Sequence, residues 1–365
     1  MRSSCCWRAK VPDDARLDTW RQLALDPPHA HGGPAVAGRI RTDPEDFLVE
    51  ERLGFRPDGG TGHHLLLVEK RDANTHHVAR CLARFAGIAL GDIGFAGLKD
   101  RRAVARQWFS MPAGNGRPSA AGLAGDGFRV IEAHPHSRKL RRGALAANRF
   151  QLRVRELDGD LGMLAVRLQT VAARGVPNYF GPQRFGRDAS NLQQVSHWID
   201  TRKLPRDRGA RSFLLSAARS LAFNAVLGRR VADGSWDRLL PGEIASLSGS
   251  SSVFHVSGLD EDLERRCREG DIRPSGPLCG EGDMIPAGEC GVVEQQALAM
   301  LAPLPERLTG VVAGERRALV LRAEGLVWNV SGQELELGFE LARGSYATSL
   351  LREAISATLP DAGTD

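Results

Sequence analysis

The order of textures along the chain restricts its fold more than any single motif. Short apolar runs with strand character come first, as in Phe47-Leu48-Val49-Glu50-Glu51, His64 to Glu69, Ile93 to Ala96, Val104 to Met111 and Phe150 to Val154. From residue 188 to about 320 the pattern is mostly helical, with Phe213 to Val231 the longest amphipathic stretch. Strand texture returns in Ala318 to Val330 and Glu334 to Leu341. Such a succession reads as a core domain interrupted by an insertion, the last strands completing the first sheet.

Local signals fill in this outline. Residues 1 to about 35 bear Pro and His with weak periodicity and read as a loosely ordered extension. Asn74 or Thr75 can cap a helix through Phe85, with Gly87 as its stop. Leu161 to Arg174 predicts an amphipathic helix with Leu164, Leu168 and Val171 inward. Residues 112–127 are a Gly/Pro-rich loop, and Leu350 to Thr358 predicts a closing helix.

Composition excludes several classes. Lys and Arg number 49 against 44 acids, a net charge of +5, so a nucleic-acid reading must rest on where the charge sits. Met1 to Pro12 lacks the apolar core of a secretory signal, and no run approaches the roughly 20 apolar residues of a membrane span. The six cysteines (Cys5, Cys6, Cys81, Cys267, Cys279, Cys290) form no C-x2-C pair, which argues against zinc and fits reduced thiols in a cytoplasm. His63-His64 and His76-His77 are adjacent residues, which on a strand point to opposite faces, so no metal is expected. There is no P-loop, G-x-G-x-x-G, H-E-x-x-H or G-x-S-x-G motif.

One stretch stands out chemically. Gly94-Phe95-Ala96-Gly97-Leu98-Lys99-Asp100 delivers a single carboxylate among Lys99, Arg101, Arg102 and Arg106, a positive field that keeps an acid ionised and attracts a polyanion. Read alone it is equally a solvated turn. Arg138 to Arg149 holds five cations and no acid, a stripe able to meet phosphates or simply to face water. TDPEDF, GFAGLKD, ANRF and GSYATS bring polar groups, permissive backbone and rings together, or nearly so, which suits base stacking or merely a core rim. The residues thus lead to a basic protein needing no cofactor, with one well-placed acid, and leave an RNA-directed reading open.

The blocks RTDPEDFLVEE, GFAGLKDRRAVARQ, KLRRGALAANRF, GVPNYFGPQRFG, RSFLLSAARS and GSYATSLLRE resemble, in the same order, those of the TruD family of tRNA pseudouridine synthases. The resemblance spans about Ile40 to Ile355. It implies an α+β fold: a pseudouridine-synthase-like mixed β-sheet core flanked by helices (36–174 with 321–365), carrying a largely helical insertion domain (175–320). It implies isomerisation of a uridine in tRNA, at position 13, with no cofactor or metal.

Residue by residue, the family's catalytic aspartate falls on Asp100. Its substrate-contacting phenylalanine falls on Phe47, the asparagine of its N-x-F motif on Asn148 with the ring of Phe150, and its GS-(F/Y)-AT aromatic on Tyr346. Lys99 and Arg41 are expected to handle phosphate or orient the acid, and the turn glycines to let backbone approach RNA. Arg184 to Arg187 joins the cations expected on the RNA backbone. The partner is tRNA, with no membrane; the protein is expected to be cytoplasmic and, by default, a monomer. A synthase for another RNA, a nucleoside hydrolase and a non-catalytic RNA-binding module are the competing readings.

Overall fold

The computed structural model describes residues 13–114, 120–282 and 284–358; Cys5, Cys6 and part of the 112–127 loop lie outside them. The chain begins with α1 (Asp13–Leu25), β1 (Val36–Ile40), β2 (Phe47–Leu53), β3 (His63–Arg71) and α2 (Thr75–Ala86). It continues through β4 (Gly94–Phe95), β5 (Val104–Pro112), β6 (Ala124–Gly125), β7 (Phe128–His136), β8 (Leu145–Gly159) and α3 (Leu161–Arg174). Next come β9 (Val176–Pro177), α4 (Ser190–Thr201), α5 (Arg208–Ala232), β10 (Ile244–Leu247), β11 (Val253–His255), α6 (Glu261–Glu269) and β12 (Ile272–Leu278). After α7 (Gly288–Ala299), α8 (Leu304–Leu308), β13 (Glu315–Ala318) and β14 (Val320–Leu321), the chain closes with β15 (Glu324–Ser331), β16 (Glu334–Ala342), α9 (Ala347–Leu351) and β17 (Ile355–Thr358).

The described residues form two compact units, one of 13–32 with 174–321, the other of 33–173 with 322–358. In the second unit one mixed sheet runs β15-β16-β8-β2-β5-β3-β7-β6, with β1 joining β8 and β17 and β4 joining β5. β2 pairs parallel with β5 and antiparallel with β8, while β16 covers the other edge of β8. The helix capped by Asn74, whose side chain accepts from the His77 amide at 2.8 Å, packs Val78 and Leu82 onto Leu66, Val68, Phe109 and Met111. It ends where Gly87 takes φ 64°, a left-handed cap that costs glycine little.

The other unit gathers its helices around α5, on which Leu214, Ala218, Leu221, Ala222 and Val226 are buried. Beside these helices β11-β10-β12-β13 make a four-stranded antiparallel sheet. One expectation fails in this unit. The N-terminal segment is not loose from Asp13 onward: α1 buries Trp20 and contacts α4 and α5, and Arg16 pairs with Asp200 at 3.0 Å. Trp20 and Ala24 are the buried ones among its described side chains, so its sequence lacks a clean apolar stripe.

The closing helix is also shorter than its pattern. α9 stops at Leu351, and Ile355–Thr358 becomes a strand parallel to β1, since the open edge of β1 offers backbone partners that a helix end lacks. β8, expected only over Phe150 to Val154, extends over 15 residues because β2 and β16 pair with it up to Val154 and β1 pairs with it from Val154 to Gly159.

Candidate active site

The parallel pairing of β2 with β5 places the starts of both strands side by side, Leu48 opposite Val104. Arg41, just past β1, and the turn Pro44–Asp46 lead into β2, while the loop bearing Asp100 leads into β5. The sheet order therefore brings Arg41 to Asp100 across 59 positions, and its guanidinium bonds the Asp100 carboxylate. The same guanidinium lies 4.0 Å from the centroid of the Phe47 ring. Arg41 is in the left-handed region, φ 59°, a conformation that costs a non-glycine residue roughly 1–3 kcal/mol and that clusters at functional sites. Its side chain is 12% exposed against 42% for Asp100, so the cation is fixed and the acid is open to solvent.

Alternation sets Phe47, Val49 and Glu51 on one face of β2, and the register sets Leu152, Phe150 and Asn148 opposite them on β8. Phe47 meets Phe150 edge-on with centroids 6.0 Å apart, and Phe150 stacks on Phe339 at 5.3 Å. The two expected stacking rings are thus largely buried, Phe47 at 4% exposure and Phe150 at 7%. Phe150, packed between Phe47 and Phe339, is a support for Phe47 and has little surface to offer a base.

Lys99 turns its side chain inward to Glu51, Nζ to Oε1 2.8 Å, where the pair is 9% and 0% exposed, a direction away from phosphate that leaves its other expected part, orienting the acid. Burial pushes the Glu51 carboxyl up, with the Lys99 charge opposing, and Glu51 also accepts from the Trp108 amide at 2.9 Å. Arg106, expected on the RNA backbone, lies on the opposite face among Glu69 at 3.0 Å and Glu50 at 3.5 Å. Arg138, Lys139, Arg141, Arg142 and Arg149 are exposed.

Several buried polar groups that received no role from the sequence hold the Asp100 loop. Lys70, fully buried, donates to the main-chain carbonyls of Asp100 at 2.6 Å and Ala73 at 2.7 Å. Burial lowers the Lys70 ammonium to about 8, the Asp100 charge opposing that fall. The Lys99 amide donates to Thr75 Oγ1 at 3.0 Å, Thr75 donates to Gln107 Oε1 at 2.9 Å, and Gln107 Nε2 donates to the Gly97 carbonyl at 2.7 Å. Thr75 looked like a helix cap, and Gln107 closes the GFAGLKDRRAVARQ block; that position was the available signal.

Hydrogen bonds stitch three motif loops together. The Gly143 amide donates to Ala96 at 2.8 Å, Arg343 Nη1 donates to Gly143 at 2.8 Å, and the Arg343 amide donates to Ala146 at 3.0 Å. Tyr346, half-buried, follows three residues later at the start of α9. Asn148 Oδ1 and Arg41 Nε are buried with no hydrogen-bond partner among the described residues. Gly94 serves packing and not RNA approach, since a Cβ there would come within 2.4 Å of the Leu140 carbonyl, whereas Gly97 faces open space.

Among the described residues no cluster of three or more His, Cys, Asp or Glu side chains is arranged for a metal ion, and no helix is long and apolar enough to cross a membrane. The arrangement can present one solvent-open carboxylate, held by an arginine that also covers an aromatic ring, to a polyanionic ligand.

Comparison with known proteins agrees with the sequence blocks. The family model described as tRNA pseudouridine synthase D (TruD) matches residues 28–207 and 202–354. A tRNA pseudouridine synthase D of Methylococcus capsulatus is 45% identical over 334 residues, covering 90% of this chain and 94% of the relative. That of Nitrosococcus oceani is 43% identical, covering 89% and 93%. The crystal structure of the putative tRNA pseudouridine synthase D (TruD) from Methanosarcina mazei superposes with a TM-score of 0.69 at 23% identity, covering 91% of this chain and 96% of that one, a likeness of fold. The family model accounts for nearly all of the described residues, and the chain belongs to the tRNA pseudouridine synthase D family.

Proposed function

We propose that this protein isomerises a uridine of tRNA, uridine 13, to pseudouridine, with Asp100 as the reacting carboxylate. The observation that carries this reading is the Arg41 guanidinium bonded to Asp100 and laid over Phe47, which joins the acid to a ring platform. The names of the relatives, tRNA pseudouridine synthase D, support the substrate. The unit of 33–173 with 322–358 is then the catalytic domain and residues 175–320 the insertion.

The reaction breaks C1′–N1, turns the uracil, joins C5 to C1′, and moves the C5 proton away as N1 regains one. Asp100 either attacks C1′ or removes the 2′ proton to leave a glycal; on both routes a carboxylate near C1′ steadies oxocarbenium-like charge. The freed base must be held and water excluded. Tyr346, and Phe47 once the Arg41 guanidinium leaves its face, supply ring surface, and Asn148 Oδ1 is an acceptor with unused capacity for a base N–H. A uridine within the tRNA fold must leave its stack to reach Asp100, so the target base is flipped. Lys99 orients the loop through Glu51 and leaves phosphate contacts to the exposed arginines.

The protein acts without a cofactor, in the cytoplasm, as a monomer. The test is to incubate it with total cellular RNA and map pseudouridine by carbodiimide-stop sequencing. A new stop at position 13 of tRNA, absent with Asp100→Asn, is expected. Stops elsewhere point to another RNA, released uracil to a hydrolase, and RNA binding without stops to a non-catalytic module.

A further inference from the structure

The unit of 13–32 with 174–321 contains a cavity of about 730 Å³ lined by five arginines, three serines and no acid. Its wall is one face of α5. Arg208, Arg211, Ser212, Leu215, Ser216, Arg219 and Ser220 recur at helical spacing, so their side chains form a single stripe. Arg184 and Arg317 close the other side.

These arginines are held in place before any ligand arrives. Arg317 lies 4.3 Å from the Phe180 centroid and donates to Asn178 Oδ1 at 2.7 Å. Arg184 lies 5.3 Å from the same ring and donates to Ser216 Oγ at 3.0 Å. Arg219 donates to the Leu278 and Ala313 carbonyls at 3.1 and 3.0 Å and pairs with Glu315 at 3.2 Å. At the mouth, Arg208 and Arg211 are exposed, and the nearby acid Asp207 is engaged in capping α5 through the Ala210 amide at 2.7 Å. Fixed guanidinium forks interleaved with hydroxyls match phosphate oxygens, and the five lining arginines outweigh the Glu315 carboxylate that pairs with Arg219.

We infer that this cavity is a phosphodiester-binding site for the RNA backbone, used for affinity and not for chemistry. It rests on the reading of the protein as a tRNA-modifying enzyme and adds a place where the insertion unit grips its substrate. The chemistry is shared by free phosphate. RNA is favoured because a 730 Å³ cavity with arginines spread over three turns of helix spans more than one phosphate group.

The test compares wild type with the double variant Arg208→Ala/Arg211→Ala. For tRNA, the slope of log affinity against log salt should fall by about 1.4, roughly 0.7 for each contact to a flexible strand. KM for tRNA should rise about tenfold while kcat stays within about twofold. An unchanged slope and KM, or a fall in kcat alone, overturns the inference. On wild-type protein, tRNA should protect Arg208 and Arg211 from phenylglyoxal, read by mass spectrometry, independently of how the variant folds. Full reactivity of both under saturating tRNA, or protection by inorganic phosphate but not by tRNA, also overturns it. Wild-type pseudouridine formation is scored in parallel: its absence sinks the enzymatic reading, while slope and protection still decide the cavity.

Discussion

Arg41 binds the Asp100 carboxylate and covers the Phe47 ring with one guanidinium, so a single side chain joins the acid to the ring. A base stacking on Phe47 must displace that guanidinium, which then stands free to meet a phosphate or the departing uracil. Arg41→Ala should lower kcat/KM by about 10², the scale on which small misplacements of reacting groups act. Arg41→Gly should lose as much activity yet be more stable than Arg41→Ala by about 1 kcal/mol, because glycine accepts φ 59°. Equal urea midpoints for the two variants would remove the claim of backbone strain.

Asp100→Asn should abolish pseudouridine formation, by at least about 10³-fold on the scale of general-base and nucleophile deletions, and leave tRNA binding largely intact. The loop should keep its shape, since Lys70 holds the Asp100 main-chain carbonyl and not its carboxylate. Substantial single-turnover conversion by this variant would rule Asp100 out as the reacting group.

Glu51→Leu should destabilise the fold by about 3–5 kcal/mol, because it leaves the Lys99 ammonium buried without its counter-charge. The double variant Glu51→Leu/Lys99→Met should recover most of that stability but not the activity. Denaturant unfolding beside tritium release from [5-3H]uridine-labelled tRNA separates the two effects.

Rings should divide by burial. Phe150→Ala should cost about 3–5 kcal/mol of stability through the cavity it leaves under Phe47 and Phe339. Tyr346→Ala, at a half-buried position, should lower activity with little change in stability, and Tyr346→Phe should be close to wild type. Thermal melts and steady-state kinetics on the three variants check this; a Tyr346→Ala loss matched by an equal melting loss would make that ring structural.

Acid should weaken the entrance to β2. Burial opposes ionisation of Asp46, but the Arg155 guanidinium at 2.8 Å and the Asp43 amide outweigh it, holding its carboxyl below the ordinary 3.8. A depressed carboxylate contributes stability that is present above its unfolded value and is lost as pH falls through the folded one. Wild type should therefore exceed Asp46→Asn in urea midpoint at neutral pH, and the gap should narrow below about pH 4. A gap independent of pH would assign the loss to packing.

The strands that build the site were legible, because Phe47 to Glu51 and Val104 to Met111 alternate or run apolar as buried strands must. The path of β17 was not: Ile355 to Thr358 is too short for its period to declare itself, and only the open edge of β1 selects a strand. The block made Asp100 legible as an acid set among cations. Lys70, Thr75 and Gln107 were not, since a buried lysine looks like any surface lysine until the loop it holds is in place. The inward turn of Lys99 was hidden for the same reason: one residue from the acid, its direction depends on Glu51, across a strand pairing that no local pattern encodes.

The position of β16 beside β8 sets a timetable for synthesis. The ribosome finishes β8 at Gly159 but does not begin its edge partner until Glu334. At about 5–20 residues per second that leaves roughly 9–35 s in which one rim of a 15-residue strand has no partner. Residues 174–321 are made in that interval, so the nascent chain can complete one compact unit while the other waits. Arg343, which ties the Gly143 loop in place, emerges last of the stitching residues. A ribosome-bound chain arrested before it would carry Asp100 and Arg41 and still lack the tie that Arg343 places on the Gly143 loop.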